Sequence, residues 1–305
     1  MTMPAALNRY MASRCRGVDR ELARLLRGRA GEPRSVVKAM SYSLFAGGKR
    51  LRPVLVMAAA ECCGLEGRKT LKTACAVEMI HTYSLIHDDL PAMDDDDLRR
   101  GKPTNHKVFG EALAILAGDG LLTYSFEAAA DNARQLRLSG GETSDLIGTI
   151  ARGAGTQGMV GGQVADLEAE NWKAKKNGFN ARKALEYIHR HKTAALMVAC
   201  LEAGAILARA TAAQKRRLAD YGRCIGLAFQ IADDILDVVG DKKKLGKKGS
   251  DAQNDKLTYA RLYGVSRSRE MATKLIARAH KSLTTFGEGS RPLHDLAEYI
   301  ITRDK

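Results

Sequence analysis

Residues 104 to 291 of this 305-residue chain contain no proline, and five of its six prolines lie at or before Pro103. Proline is the strongest helix breaker, so a stretch this long without it suits a bundle of long helices. The local patterns agree. Leu7, Met11, Cys15, Val18, Leu22 and Leu25 recur at spacings of three and four, the apolar stripe of an amphipathic helix, and no convincing period-two strand is found.

Further helix starts are read at Ser35, at Pro53 in a first-turn position with Gly64 as the stop, and at Thr211, where Gln214 completes a capping box and Gly240 ends the helix. At 1.5 Å per residue the last of these is roughly 40 Å long, enough to cross a whole domain. The glycine-rich stretch from Gly153 to Gln163 falls between helical segments. No repeat, linker or composition shift marks a boundary, so the expectation is an all-α, single-domain chain over 1–305, a bundle of long antiparallel helices.

The formal charge of +14 suits nucleic acid, an anionic membrane or a phosphorylated small molecule equally. Aromatic residues make up only 5% of the chain and are not interleaved with the Lys/Arg clusters, which argues against stacking on nucleic acid. No stretch approaches the ~20 apolar residues of a membrane span, and the N-terminus has no continuous apolar core, so a soluble cytoplasmic protein without membrane insertion is expected. Cys15, Cys62, Cys63, Cys75, Cys200 and Cys224 form no CxxC pair and read as reduced thiols.

Two acidic clusters stand out. His87 to Gly101 reads HDDLPAMDDDDLRRG, bringing Asp88, Asp89 and Asp94 to Asp97 close to Arg99 and Arg100. Mg²⁺ takes oxygen ligands and typically shares one or two protein carboxylates with substrate phosphates. Pro91 must end or kink a helix running up to Leu90, leaving Asp88 and Asp89 at its C-terminal end with Asp94 able to fold back. In FQIADDILD, Asp233, Asp234 and Asp237 are three and four residues apart and share a helical face, with Gln230 one turn below. The competing reading of either cluster alone is a solvated acidic face; two aspartate-rich motifs in one helical chain, DDxxxxD from Asp88 to Asp94 and DDxxD from Asp233 to Asp237, point to paired metal sites.

Basic residues lie where a diphosphate needs them. AGGKRLRP sets Gly47 and Gly48 before Lys49, Arg50 and Arg52, a flexible backbone beside three cations that is expected to cradle one diphosphate. Glu78, His81, Leu85 and Asp88 follow a three-four-three spacing, so His81 faces the same way as Asp88 rather than serving only as a structural histidine. Lys242 to Lys244, Lys247, Lys248 and Lys256 follow the second motif, most of them read as solvated.

From GGKRLRP to the terminal IITRDK the chain resembles the trans-isoprenyl diphosphate synthases, most closely the bacterial farnesyl diphosphate synthases. The resemblance implies an isoprenoid-synthase bundle around a central cavity and a head-to-tail condensation of isopentenyl diphosphate with dimethylallyl and geranyl diphosphate. It implies that Asp88, Asp89, Asp94, Asp233, Asp234 and Asp237 bind a set of three Mg²⁺, with Mn²⁺ able to substitute. It assigns Lys49, Arg52, His81 and Arg100 to isopentenyl diphosphate, and Arg99, Lys192, Lys247 and Lys256 to the allylic diphosphate, with Thr193 and Gln230 beside the developing carbocation. Tyr83 and Ser84, just before the first motif, would set product length, and the chain would form a homodimer.

The sequence departs from the family at LGKKGSD, where one further residue usually precedes the glycine. Tyr83 lies about 140° around an ideal helix from Asp88, so periodicity alone does not place it at a cavity floor. A twenty-carbon synthase is the alternative within the family. A class I terpene cyclase usually mixes Asn, Ser or Thr and Glu in its second metal site, and a non-catalytic subunit is expected to have lost ligands; this chain keeps all six aspartates.

Overall fold

The computed structural model describes residues 3–27, 31–170, 180–239 and 257–303. Their helices are α1 (Ala5–Leu25), α2 (Arg34–Leu44), α3 (Leu51–Cys62), α4 (Leu71–Asp88), α5 (Asn105–Phe109), α6 (Glu111–Gln135), α7 (Gly140–Ala154), α8 (Met159–Ala169), α9 (Ala181–Ile188), α10 (Ala195–Leu207), α11 (Ala212–Val239), α12 (Tyr259–Tyr263), α13 (Val265–Leu283) and α14 (Arg291–Thr302). A π-helical segment, His189–Ala194, joins α9 to α10 without a break. One departure from the all-helical expectation is a two-residue antiparallel ribbon in which Leu98 pairs with Pro103 and Arg99 with Lys102. It folds the second half of the first acidic cluster back on itself.

Local signals explain the boundaries. Thr211 and Gln214 cap α11 reciprocally, Gln214 N–H donating to Thr211 Oγ1 at 3.2 Å and Thr211 N–H to Gln214 Oε1 at 2.9 Å. Pro53 sits in the first turn of α3, where its missing N–H costs nothing. Leu7, Met11, Val18 and Leu22 are the buried face of α1, while Cys15 and Leu25 lie at its edge. α3, α4 and α10 carry apolar residues on nearly every side and fill the core. α6 packs along α4, α10 lies against α3 and α11, and α13 against α11. Among the described residues no helix is long and apolar enough to cross a membrane.

One buried ion pair corrects the basic cluster as read from sequence. Arg50 adopts a left-handed backbone (φ 49°) as the N-cap of α3, which turns its side chain inward. It donates to Glu78 Oε1 at 2.8 Å, Asp19 Oδ1 at 2.9 Å and the Leu44 carbonyl at 2.7 Å. Arg50 therefore ties α1, α2 and α4 to α3 and is not a diphosphate ligand. The Arg50 and Glu78 side chains are 5% and 3% exposed, so removing one charge strands the other in low dielectric. Glu78→Gln is expected to lower unfolding free energy by about 3 kcal/mol. A shift of the urea midpoint at constant m-value measures it.

Candidate active site

α4 ends at Asp88, and Asp89 is its C-cap. The chain then turns at Pro91, and the Asp94 N–H donates to the Asp88 carbonyl at 2.9 Å, the fold-back expected from sequence. Two carboxylates thus stand at the negative pole of a helix, where cations are favoured. Burial pushes Asp88 up to about 6, with Asp94 and Asp89 adding to the shift and Lys192 and Arg99 opposing it. Asp89, 3% exposed, accepts from Arg99 Nε at 2.8 Å and from Arg99 Nη2, which also reaches Asp96 Oδ2 at 3.0 Å. Arg99 alone does not neutralise this group of carboxylates.

The second platform is the face of α11 bearing Asp233, Asp234 and Asp237, and its members differ. Asp234 is buried and accepts the Tyr259 N–H at 2.7 Å. Asp233 is partly exposed and accepts from Arg303 Nη2 at 2.6 Å. Asp237 is half-buried near the end of the helix. All six aspartates offer hard oxygen donors, the chemistry of a Mg²⁺ site. Among the described residues no three such groups converge closely enough to chelate an ion by themselves, so such an ion would take its remaining ligands from water and phosphate oxygens.

On the basic side, Arg52 is half-buried, and its buried Nε has no partner among the described residues. Burial holds its guanidinium below the usual arginine value. His81 is pushed well below the usual imidazole value by burial and then by Arg52, Arg100, Arg99 and Arg50. Arg100 Nη1 donates to the Gly47 carbonyl, and a Cβ on Gly48, whose φ is +133°, would lie 2.6 Å from Arg100 Nη1. The glycine pair thus lets the Arg100 guanidinium lie flat on the loop ahead of α3. Lys49 stands on the exposed rim of this loop. Several cations therefore gather near an orphaned buried donor, a grouping that favours a bound anion.

The π-helical segment joins the two halves. Lys192 donates to Asp166 Oδ2 on α8 at 2.6 Å, and its charge is felt by Asp88. The next residue, Thr193, donates from Oγ1 to Gln230 Oε1 at 2.8 Å, one turn before Asp233. Consecutive residues are thus held by different helices, Lys192 by α8 and Thr193 by α11. His189, buried in the same segment, tilts against the Tyr259 ring at 5.1 Å; Tyr259 in turn holds Asp234. π-Segments inside helices are common at functional sites because they re-aim side chains within one turn.

Tyr83 is buried and meets the His87 ring edge-on at 5.7 Å. Its hydroxyl is raised by burial and, to a lesser degree, by the Asp88 charge. The Ser84 hydroxyl donates to the His81 carbonyl at 2.9 Å. Lys247 and Lys256 lie outside the described residues. Sequence reasoning missed Asp166 and Arg303, whose roles rest on contacts 26 and 70 residues away along the chain. A helical pattern contains no signal for partners that distant.

The chain matches the family model for polyprenyl synthetase over residues 33–286. It is 44% identical over 300 residues to a farnesyl diphosphate synthase of Geobacillus stearothermophilus, covering 98% of each chain. It is 50% identical over 274 residues to the large subunit 1 of a chloroplastic heterodimeric geranylgeranyl pyrophosphate synthase of Arabidopsis thaliana, covering 89% of this chain and 73% of that one. Among solved structures it is similar to an FPP/GFPP synthase from Zymomonas mobilis in its apo form, with a TM-score of 0.85 at 38% identity over 97% of this chain and 99% of that one.

Proposed function

The chain belongs to the polyprenyl synthetase family and is a prenyltransferase, and from that premise we propose the reaction it catalyses and the role of each residue. Isopentenyl diphosphate condenses head to tail with dimethylallyl and then geranyl diphosphate, giving farnesyl diphosphate and releasing pyrophosphate at each step. The observation that carries this reading is the pair of aspartate-rich platforms, Asp88 and Asp89 at the end of α4 with Asp94 folded back beside them, and Asp233, Asp234 and Asp237 along α11.

The allylic C–O bond breaks into a carbocation and a pyrophosphate anion, so the rate depends on stabilising charge as it accumulates on the leaving group. Asp88, Asp89 and Asp94 on one side and Asp233, Asp234 and Asp237 on the other would hold Mg²⁺, which supplies Lewis-acid neutralisation of that charge. Lys192, and Arg99 beside Asp89, add fixed positive charge to the same diphosphate. Arg52, Arg100, His81 and Lys49 bind the isopentenyl diphosphate, which satisfies the orphaned Arg52 Nε. Thr193 and Gln230 direct oxygen dipoles toward the cation after the leaving group departs. The pyrophosphate just released is the base for the final proton, so no protein base is required.

Tyr83 is the wall that stops growth at fifteen carbons in this reading. A twenty-carbon product is the second reading, favoured by relatives named geranylgeranyl pyrophosphate synthases at 46% to 50% identity. Incubation of the purified chain with isopentenyl diphosphate and each allylic primer, with Mg²⁺ or EDTA, distinguishes the two by product chromatography. The expected outcome is a Mg²⁺-dependent fifteen-carbon product that shifts toward twenty carbons in Tyr83→Ala. No Mg²⁺-dependent elongation at all would overturn the proposal. Homodimer formation in the cytoplasm completes it, with the exposed Ile115 and Leu116 on α6 as the apolar contact; sedimentation equilibrium tests the assembly.

A further inference from the structure

The chemistry proposed above gives no task to Arg303, the last described residue. Yet its side chain is only 5% exposed while lying 2.6 Å from Asp233 Oδ1. Three other contacts anchor it without that carboxylate. Its Nε donates to the Ile300 carbonyl at 3.2 Å, its Nη2 donates to the Phe229 carbonyl at 3.4 Å, and the guanidinium lies over the Phe229 ring at 4.1 Å.

The helix carrying it is fixed independently too. His280 on α13 meets Glu298 Oε1 and His294 Nδ1 on α14, each at 2.6 Å. Tyr221 on α11 donates to the Leu293 carbonyl at 2.7 Å. Arg303 is thus held at the second platform by contacts that do not depend on Asp233.

A pair made only to hold two helices together gains little over a well-packed apolar contact. This pair instead places a full positive charge on a carboxylate proposed to bind metal. We infer that Arg303 is a charge guard on Asp233, which makes divalent-cation binding at this platform conditional on a bound diphosphate. The inference rests on the metal-binding reading of Asp233.

The guanidinium fixes the rotamer of the carboxylate and repels an incoming dication. A diphosphate brings negative charge of its own, which offsets that repulsion. Metal and substrate then enter as a unit, and the site does not fill with cations that would have to rearrange before chemistry.

The test is calorimetric titration of MgCl₂ into the purified full chain, alone and with inorganic pyrophosphate, for the wild type, Arg303→Gln, Arg303→Lys and Phe229→Leu. Circular dichroism checks that each variant folds. Removing the cation in Arg303→Gln should tighten binding of Mg²⁺ alone by about tenfold, the scale of a screened repulsion between neighbouring charges. Arg303→Lys keeps the charge and should stay near wild type. Phe229→Leu loosens the guanidinium and should tighten binding in the same direction by less, which keeps the test alive if Arg303→Gln is unstable. Unchanged Mg²⁺ affinity in Arg303→Gln and Phe229→Leu, or equal tightening in Arg303→Lys, overturns the guard while leaving the function standing. A wild type that binds no Mg²⁺ even with pyrophosphate sinks the metal-binding reading itself.

Discussion

Asp88→Asn is expected to lower kcat/KM for elongation by about a thousandfold, about 4 kcal/mol of transition-state stabilisation. The substitution keeps shape and one oxygen but removes the charge proposed to hold a cation at the end of α4. The same change should make the metal-free protein more stable. The folded-state value of Asp88 is raised to about 6 from 3.8, so its ionised form is disfavoured by folding, and that cost is present in full once pH rises above the folded value. At neutral pH Asp88→Asn relieves it, worth roughly 3 kcal/mol. Activity and stability therefore move in opposite directions at one residue. Steady-state kinetics and thermal unfolding in EDTA measure the two effects. Asp97→Asn is the control: Asp97 is exposed and paired with Lys107 at 2.9 Å, and its loss should change the rate less than about twofold. A thermal midpoint for Asp88→Asn that falls together with its activity would show that Asp88 serves the fold rather than the chemistry.

Much of this site was legible in the sequence because its governing rules are local. Pro91 dictates where α4 stops, and the spacing of Asp233, Asp234 and Asp237 dictates that they share a face of α11. The distinctions within each cluster were not legible. Asp234 differs from Asp233 because Tyr259 and Arg303, distant in sequence, arrive at one and not the other. Arg50 left the basic cluster because a left-handed cap turned it toward Glu78, a conformation that a non-glycine residue rarely signals. The π-helical segment His189–Ala194, which carries Lys192 and Thr193, has no counterpart among the sequence expectations.

The packing of α8 against this segment yields the second large effect. Gly162→Ala is expected to cost about 4 kcal/mol of stability, above the usual 1–3 kcal/mol of overpacking because the obstruction is backbone. A Cβ at Gly162 would lie 2.0 Å from the Lys192 nitrogen, 2.5 Å from its Cα and 2.6 Å from the His191 carbonyl carbon. No side-chain rotamer can relieve that overlap, so α8 and the π-helical segment must separate. Separation moves the Asp166–Lys192 bond, Lys192 itself and the Thr193–Gln230 bond together. Displacing groups positioned on the leaving group by about 1 Å costs about a hundredfold in rate. The folded fraction of Gly162→Ala should therefore show a fall in kcat as well as a lower urea midpoint. Gly141→Ala, where a Cβ meets nothing within 4 Å, should do neither. Loss of stability in Gly162→Ala with kcat intact per folded molecule would mean that α8 supports the bundle without positioning Lys192.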